Sequence, residues 1–208
     1  MNVAIDKKRL AKITTLDHGA HTDFKDGVCA MEAAAYIANE PWSDHPECVC
    51  PVIATFMRSW NDGLPDEERT SLLLPLIAKT IGTRGSKALE ERRSLMAADW
   101  LVRVHTVSWL RLAKLDKQAD LLASLPEITS MAQVPSIRAP LEAVRNDAAA
   151  AGVAAWAAAG DVAGAAAWAA AGVAARAAAG DALSATKKEL QTSAVTLVER
   201  MCDLRDEA

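Results

Sequence analysis

Residues 86–115, SKALEERRSLMAADWLVRVHTVSWLRLAKL, decide the fold class of this chain. Their apolar side chains recur at helical spacing on two neighbouring faces. One face carries Leu89, Met96, Trp100, Val104 and Val107, and the other carries Leu95, Ala98, Val102, Trp109 and Leu112. So wide an apolar surface predicts a long helix at the centre of a bundle.

The other segments with a regular pattern also predict helices. Strong helix formers dominate between Gly27 and Pro41, Pro51 suits the first turn of a helix, and Asp66 is a suitable N-cap. The predicted helices cover residues 28–38, 51–61, 66–82, 117–125 and 182–204. Because no segment shows the two-residue alternation of a half-buried strand, we expect an all-α helical bundle with Ala/Gly-rich C-terminal helices.

The composition is uneven along the chain. Hydrophobic residues make up 51% of the 208 residues, but 22 of the 44 alanines lie in residues 148–182. Within that stretch, AGVAAWAAAGD at 151–161 recurs as AGVAARAAAGD at 171–181. Since alanine and glycine bury little side-chain surface, we expect this part to fold by lying close against other helices of the chain or against a second copy.

Two features of this repeat stay open in the sequence. The stretch 148–182 is either one helix or several, with alternative breaks where Gly160 meets Asp161 and where Gly180 meets Asp181. Trp156 and Trp168 project from surfaces of small residues, so they are expected to insert between helices. A homo-oligomer formed through 148–182 is therefore one expected assembly.

Prolines mark the best domain boundary. Three of them fall in residues 126–140, PEITSMAQVPSIRAP, which predict an extended linker. We expect a helical core domain over residues 1–125, the linker over 126–140, and Ala-rich helices over 141–208 that pack on the core or self-associate. No secretory signal and no apolar run of about 20 residues is found, so a cytoplasmic protein without a membrane partner is expected.

Reactive side chains are concentrated in residues 17–50, which hold three of the four histidines and three of the four cysteines. Thiolate and imidazole groups at these spacings could gather a tetrahedral zinc ion. The candidate metal ligands are His18, His21, Cys29, His45, Cys48 and Cys50. In the alternative, Cys29 and Cys50 pack as small core residues while the histidines cap or bridge.

The same region also allows a thiol nucleophile. Cys29 lies at a predicted helix N-terminus, which lowers the pKa of a thiol, and His18 or His21 could act as its base. The candidate catalytic pair is therefore Cys29 with His21, although no oxyanion hole or leaving-group acid can be named.

A second concentration of charge is the turn IGTRGSKALEERR at residues 81–93. Arg84 is flanked by glycines just before a helix N-terminus, an arrangement that suits an anion such as phosphate. The spacing of a P-loop is absent. In the alternative, Ser86 caps the helix, and Arg92 and Arg93 pair with neighbouring glutamates or with acidic residues upstream.

The charge of the chain is divided between two regions. Residues 22–50 hold six acids and one base, whereas residues 76–117 hold nine bases and four acids. Because the net charge is −4, we expect the bases to be neutralised within the protein. No nucleic-acid partner is therefore expected.

Several motifs resemble an uncharacterised protein family of actinobacteria and their phages. They are HGAH at 18–21, GVCAMEAAAYIANEPWSDHPECVCPVI at 27–53, RSWNDGLPD at 58–66, PLIAKTIGTRGSKALEERRSLMAADWLVRVHT at 75–106 and WLRLA at 109–113. The resemblance spans nearly the whole chain after residue 14 and implies an intracellular setting in such a host or phage. It implies no activity, so no functional residue follows from it.

The leading hypothesis is a non-enzymatic binding or accessory protein with a protein partner. Its expected contact surface joins the polar loops of residues 17–50 to the turn at 82–93. The expected binding residues are Asp44, His45, Arg84, Gly85, Ser86, Arg92 and Arg93. The alternatives are a zinc-stabilised helical protein and a Cys–His enzyme that acts on a small molecule.

Overall fold

The computed structural model describes residues 3–161 and 165–206, and the side chains of those residues apart from 151–179 and 181. These residues form helices and no strand, which confirms the all-α prediction. The helices are α1 Lys7–Leu10, α2 Ala30–Ile37, α3 Pro51–Gly63, α4 Asp66–Thr80, α5 Lys87–Trp100, α6 Thr106–Leu112, α7 Asp116–Ala123, α8 Val134–Asp161 and α9 Ala165–Asp203. A π-helical turn, Leu101–His105, joins α5 to α6, and a short 3-10 helix, Met131–Gln133, precedes α8.

The chain divides into two compact units. The first combines Met1–Ser94 with Ala194–Ala208, and the second is Leu95–Ser193. Both divisions fall inside helices, namely α5 and α9. The division into 1–125, 126–140 and 141–208 rests on the prolines of 126–140 and on the alanine-rich segment after them, and it stays a prediction.

Helix α2 is the core of the first unit. All of its residues except Tyr36 are buried, and it packs against α1, α3 and α4. Its alanines let those helices approach closely, while Met31 and Ile37 fill the space between them. Burying one such large side chain stabilises a fold by roughly 1.5–3 kcal/mol. Helix α2, with its small side chains, is therefore enclosed by α1, α3 and α4.

Local sequence explains both ends of α2. Cys29 is its N-cap, and the carboxylate of Glu32 accepts the backbone N–H of Cys29 at 2.8 Å. At the other end Asn39 takes a left-handed φ of 66°, and the N–H of Glu40 donates to the carbonyl of Ala35 at 3.0 Å. This is the Schellman arrangement, which asparagine tolerates better than most residues. The predicted span of 28–38 is thus confirmed to within two residues.

The next two helices follow the predicted pattern with one correction. Helix α3 begins at Pro51, as predicted, and α4 continues through Pro75. The residue at the N-cap of α4 is Pro65 and not Asp66. The Asp66 carboxylate instead accepts a hydrogen bond from Nη1 of the buried Arg69 at 2.7 Å.

The second unit contains the end of α5, the π-helical turn, helices α6 to α8 and the first part of α9. Its core includes Val107, Leu110, Ala119, Leu122 and Val144. The helix predicted for 86–115 runs without a gap from residue 87 to residue 112, and its middle is a π-helical turn, where the N–H of Thr106 donates to the carbonyl of Leu101. Residues 126–130 lack regular structure, but α8 begins at Val134, so the expectation of an extended segment as far as Pro140 is wrong.

The alanine-rich stretch is helical wherever the structure describes it. Helix α8 reaches Asp161, and α9 runs unbroken through Gly180 and Asp181, so the alternative break at that pair is wrong. The alternative break at Gly160 and Asp161 borders residues 162–164, which, like the side chains of Trp156 and Trp168, lie outside the described residues. Self-association through 148–182 stays a prediction. A helix able to span a membrane is not found in residues 3–161 and 165–206.

Candidate functional site

A cleft in the first unit brings together the two regions that the sequence singled out. Its volume is about 510 Å³, within the usual size of small-molecule sites. Its lining residues are Val3, Glu40, Glu47, Cys48, Gly82, Arg84 and Gly85. One wall thus comes from the segment after α2, and the other from the turn between α4 and α5.

The first wall is organised around Glu40. The end of α2 fixes its backbone, and its Oε2 accepts the backbone N–H of Glu47 at 2.7 Å. Glu47 is exposed, whereas Glu40 is half-buried. Two carboxylates therefore line this side of the cleft.

The second wall is the turn at residues 82–85. Gly82 has a φ of 78°, a conformation that costs other residues about 1–2 kcal/mol. The N–H of Arg84 donates to the carbonyl of Cys48 at 3.1 Å, and the N–H of Cys50 donates to the Thr83 hydroxyl at 3.0 Å. These two hydrogen bonds tie the turn to the first wall.

Arg84 supplies the positive charge of the cleft. Its side chain is 51% exposed, and its Nε lies 3.9 Å from Glu90 Oε1, a long contact for an ion pair. Because the arginine is half-exposed and the contact is long, this pair contributes about 0–1 kcal/mol. The guanidinium can therefore exchange this partner for a ligand at little cost.

Cys48 contributes a neutral thiol to the cleft. Burial raises its pKa to about 12, and a hydrogen bond with the Glu40 carboxylate acts in the same direction. Near neutral pH the thiol is protonated, so it acts as a weak donor and not as a nucleophile.

The turn also holds other predicted binding residues. Gly85 lines the cleft, while Ser86 follows it and caps α5 by accepting the N–H of Leu89 at 3.1 Å, as the alternative interpretation expected. Arg92 is exposed on α5. Arg93 is only 1% exposed, and its guanidinium donates to three backbone carbonyls instead of pairing with acids. An external ligand cannot reach it in this conformation.

Asp44 and His45 form a separate cluster that does not line the cleft. His45 Nδ1 lies 2.6 Å from Asp44 Oδ1, and Arg58 donates to the carbonyl of Asp44 at 2.9 Å. The imidazole is exposed, while the aspartate is half-buried. The structure therefore brings Arg84 and Gly85 to the cleft, and leaves this pair outside it.

The candidate metal ligands are dispersed. Cys29, Cys48 and Cys50 are buried, whereas His18 and His45 are exposed. Across the described part of the chain, no three His, Cys, Asp or Glu side chains form a group that could hold a metal ion. A zinc-stabilised fold stays a prediction that gains no geometric support.

The candidate catalytic pair has a base and an orienting carboxylate, but no activated thiol. His21 Nδ1 lies 2.8 Å from Oε2 of the buried Glu32. Gly27, with φ of 136°, leaves room for the ring, since a Cβ there would lie 2.5 Å from His21 Cδ2. Burial raises the pKa of the Cys29 thiol to about 12, which disfavours the nucleophilic thiolate.

Sequence reasoning missed the two carboxylates of the cleft as site residues. The sequence Asn39–Glu40–Pro41 indicates the end of a helix, and this helix end fixes the position of the Glu40 backbone. Glu47 showed no comparable signal, because its position depends on a backbone hydrogen bond to Glu40. No protein-family model, curated protein or solved structure matches this chain.

Proposed function

We propose that this protein is a binding protein and that the cleft between residues 40–48 and 82–85 is its ligand site. The observation that carries this function is the placement of opposite charges on two walls of one cleft of about 510 Å³. Glu40 and Glu47 stand on one wall and Arg84 on the other. Of the seven binding residues expected from the sequence, Arg84 and Gly85 line this cleft.

The ligand is a group that carries a cation next to an anion. A guanidinium binds a carboxylate or phosphate through charge-assisted hydrogen bonds, and paired carboxylates favour an ammonium or guanidinium. A ligand with a single charge would form charge-assisted hydrogen bonds with one wall only. The source of the group is either a free zwitterion or an exposed pair of charged side chains on a partner protein.

Binding without covalent chemistry is the function that the side chains of the cleft favour. Its one thiol is held protonated by burial and by Glu40. The imidazole nearest to Cys29 in sequence, His21, is bound to Glu32 and does not line the cleft. A Cys–His enzyme would need a thiolate that neither Cys29 nor Cys48 supplies at neutral pH.

The test is a titration with ω-amino acids, from glycine to 6-aminohexanoate, followed by NMR or by thermal shift. Each has two matched analogues, the alkylamine and the alkyl carboxylate of the same length. At least one zwitterion is expected to bind about tenfold tighter than both analogues, because each lost charged hydrogen bond costs about 1.5–3 kcal/mol. Arg84→Gln should remove the preference for the carboxylate, while Arg138→Gln, on the exposed face of α8, should not.

Two outcomes contradict the proposed function. One is the absence of any zwitterion binding at high millimolar concentration, and the other is binding that Arg84→Gln leaves unchanged. The source of the group is decided by a second arm. If a purified partner protein is displaced by the preferred zwitterion from the wild type, and does not bind Arg84→Gln, the natural ligand is a charged side-chain pair.

A further inference from the structure

Hydrogen bonds connect the turn at residues 82–86 to a segment that is distant in sequence, residues 201–206. Arg93 on α5 donates from Nη1 to the carbonyl of Thr83 at 2.5 Å. The same guanidinium donates from Nε to the carbonyl of Met201 at 2.8 Å and from Nη2 to that of Leu204 at 2.9 Å. One buried cation thus joins the turn to the end of α9.

A second link joins the same two segments. The N–H of Ser86 donates to Asp206 Oδ2 at 3.2 Å, and the Ser86 hydroxyl donates to Asp206 Oδ1. These hydrogen bonds lower the pKa of the Asp206 carboxyl, so it stays ionised well below neutral pH. Because the same hydroxyl accepts the N–H of Leu89, it connects Asp206 to the first turn of α5.

Residues 201–206 also limit the space around Gly85. A Cβ on Gly85 would lie 3.2 Å from Asp206 Oδ2 and 2.6 Å from Leu89 Cδ2. Gly85 lines the cleft, so Asp206 lies next to a lining residue without being one itself. On the other side the turn is tied to the first wall by the hydrogen bonds to Cys48 and Cys50.

We infer that residues 201–206 act as a clamp that sets the shape of the turn at 82–86, with Arg93 and Asp206 as positioning residues of the ligand site. Neither side chain lines the cleft, and each acts through the backbone of the turn. This rests on the proposed function for what enters the cleft, but the clamp itself can be measured without any ligand.

Loss of the clamp should change the turn at 82–86 alone, whereas loss of an ordinary core contact should destabilise the whole unit. The first wall is fixed by the end of α2 and the start of α3, which lie outside the hydrogen bonds that Arg93 and Asp206 make with the turn. Releasing Asp206 should therefore loosen the turn and leave the first wall and the α2 core in place. Cys48, in the cleft, and Cys29, at the start of α2, report on these two regions separately.

The experiment compares the alkylation of these two cysteines by iodoacetamide in the native protein. Asp206 is exposed, so its two hydrogen bonds to the turn stabilise it only modestly. In Asp206→Ala we therefore expect Cys48 to react about two- to fivefold faster than in the wild type. Cys29 should react at its wild-type rate. The amide of Ser86, which donates to Asp206, should exchange its hydrogen faster as well.

Matched variants separate positioning from general destabilisation. Asp206→Asn keeps one carbonyl acceptor, so its Cys48 rate should lie between those of wild type and Asp206→Ala. Glu91→Ala removes an exposed carboxylate of α5 that lies outside residues 201–206, and it should leave both rates unchanged. Equal acceleration of Cys29 and Cys48, or an unchanged Cys48 rate in Asp206→Ala, would overturn the clamp.

The clamp and the proposed function fail in different ways. If Asp206→Ala accelerates Cys48 alone but no zwitterion binds, the clamp stands and the ligand site is wrong. If a zwitterion binds with equal affinity to wild type and Asp206→Ala, and Cys48 is unaffected, the ligand site stands and the clamp is wrong.

Discussion

The carboxylate of Glu32 binds His21 at two points, the imidazole ring and the backbone. Its Oε2 is 2.8 Å from His21 Nδ1 and also accepts the N–H of Cys29, while Oε1 accepts the N–H of His21. With 1% of its surface exposed, Glu32 joins the loop before α2 to the first turn of that helix.

Replacing Glu32 by alanine should be strongly destabilising. The change leaves two backbone N–H groups and an imidazole without their acceptor at a buried position, so we expect the free energy of unfolding to fall by about 2–4 kcal/mol. Urea denaturation measures it. Glu91→Ala, at an exposed position of α5, is the control and should change stability by less than about 0.5 kcal/mol. A loss as small as that of the control would show that the Glu32 network contributes little.

The left-handed turn at Gly82 predicts a position-specific cost for a methyl group. Gly82→Ala should lower the free energy of unfolding by about 1–2 kcal/mol, because φ of 78° is unfavourable for an L-residue. Gly63→Ala is the matched control, since it ends α3 with no atom within 4 Å of an added Cβ, and should be neutral or stabilising by about 0.5 kcal/mol. Equal effects of the two variants would contradict the strained geometry of the turn.

Alkaline pH should destabilise the first unit through its buried thiols. Burial raises the pKa values of Cys29, Cys48 and Cys202 to about 12, above the ordinary value of 9.0. Between these pH values the unfolded chain releases thiol protons that the folded protein retains, so stability is full below pH 9.0 and falls as pH rises towards 12. The slope per thiol is about 1.4 kcal/mol per pH unit. The free energy of unfolding should be measured by urea denaturation from about pH 8 to about 10.5. It should fall less steeply with pH in Cys202→Ala than in the wild type. An identical fall in both proteins would show that the Cys202 thiol does not contribute to it.

Acidic pH should destabilise the second unit through His105. This imidazole lies between the rings of Trp100 and Trp109, and its Nε2 accepts the indole N–H of Trp109 at 3.1 Å. Burial lowers its pKa below the ordinary 6.5, so the unfolded chain takes up the proton first and stability is lost as pH falls through that range. Protonation also removes the acceptor for Trp109. Tryptophan fluorescence should follow this titration in wild type and not in His105→Gln; a change that persists in the variant would point to another group.

Local rules predicted the helices of the first unit well. The start of α3 at Pro51 and the span of α2 follow from residues within a few positions of each end. The centre of that unit could not be read in this way, because alanine scores as weakly hydrophobic while its small size is what lets α1, α3 and α4 crowd around α2. The π-helical turn also left no signal in the periodicity of residues 86–115.

The candidate site was only half visible in the sequence. Arg84 and Gly85 stood out because glycines flank the arginine before a helix. Their position across the cleft from Glu40 and Glu47 depends on hydrogen bonds between distant residues. One of these joins the N–H of Cys50 to the hydroxyl of Thr83, 33 positions away. For Arg93 the sequence indicates a binding residue or, in the alternative, an ion pair with neighbouring glutamates or upstream acids. Its backbone partners at Met201 and Leu204 lie 108 and 111 positions away. Spacing along the chain carries no information on contacts of that range.

The burial of Arg93 against backbone carbonyls has a consequence for how the sequence can vary. The carbonyls at positions 201 and 204 are present whatever side chain stands there, so the bonds of Arg93 place no demand on the identity of those residues. Position 93 itself is restricted, because lysine lacks the planar set of five donors that reaches three separate acceptors. In a saturation mutagenesis of this protein, we therefore expect arginine to be required at position 93. Positions 201 and 204 should accept any side chain that still packs, because only their backbone carbonyls bind Arg93.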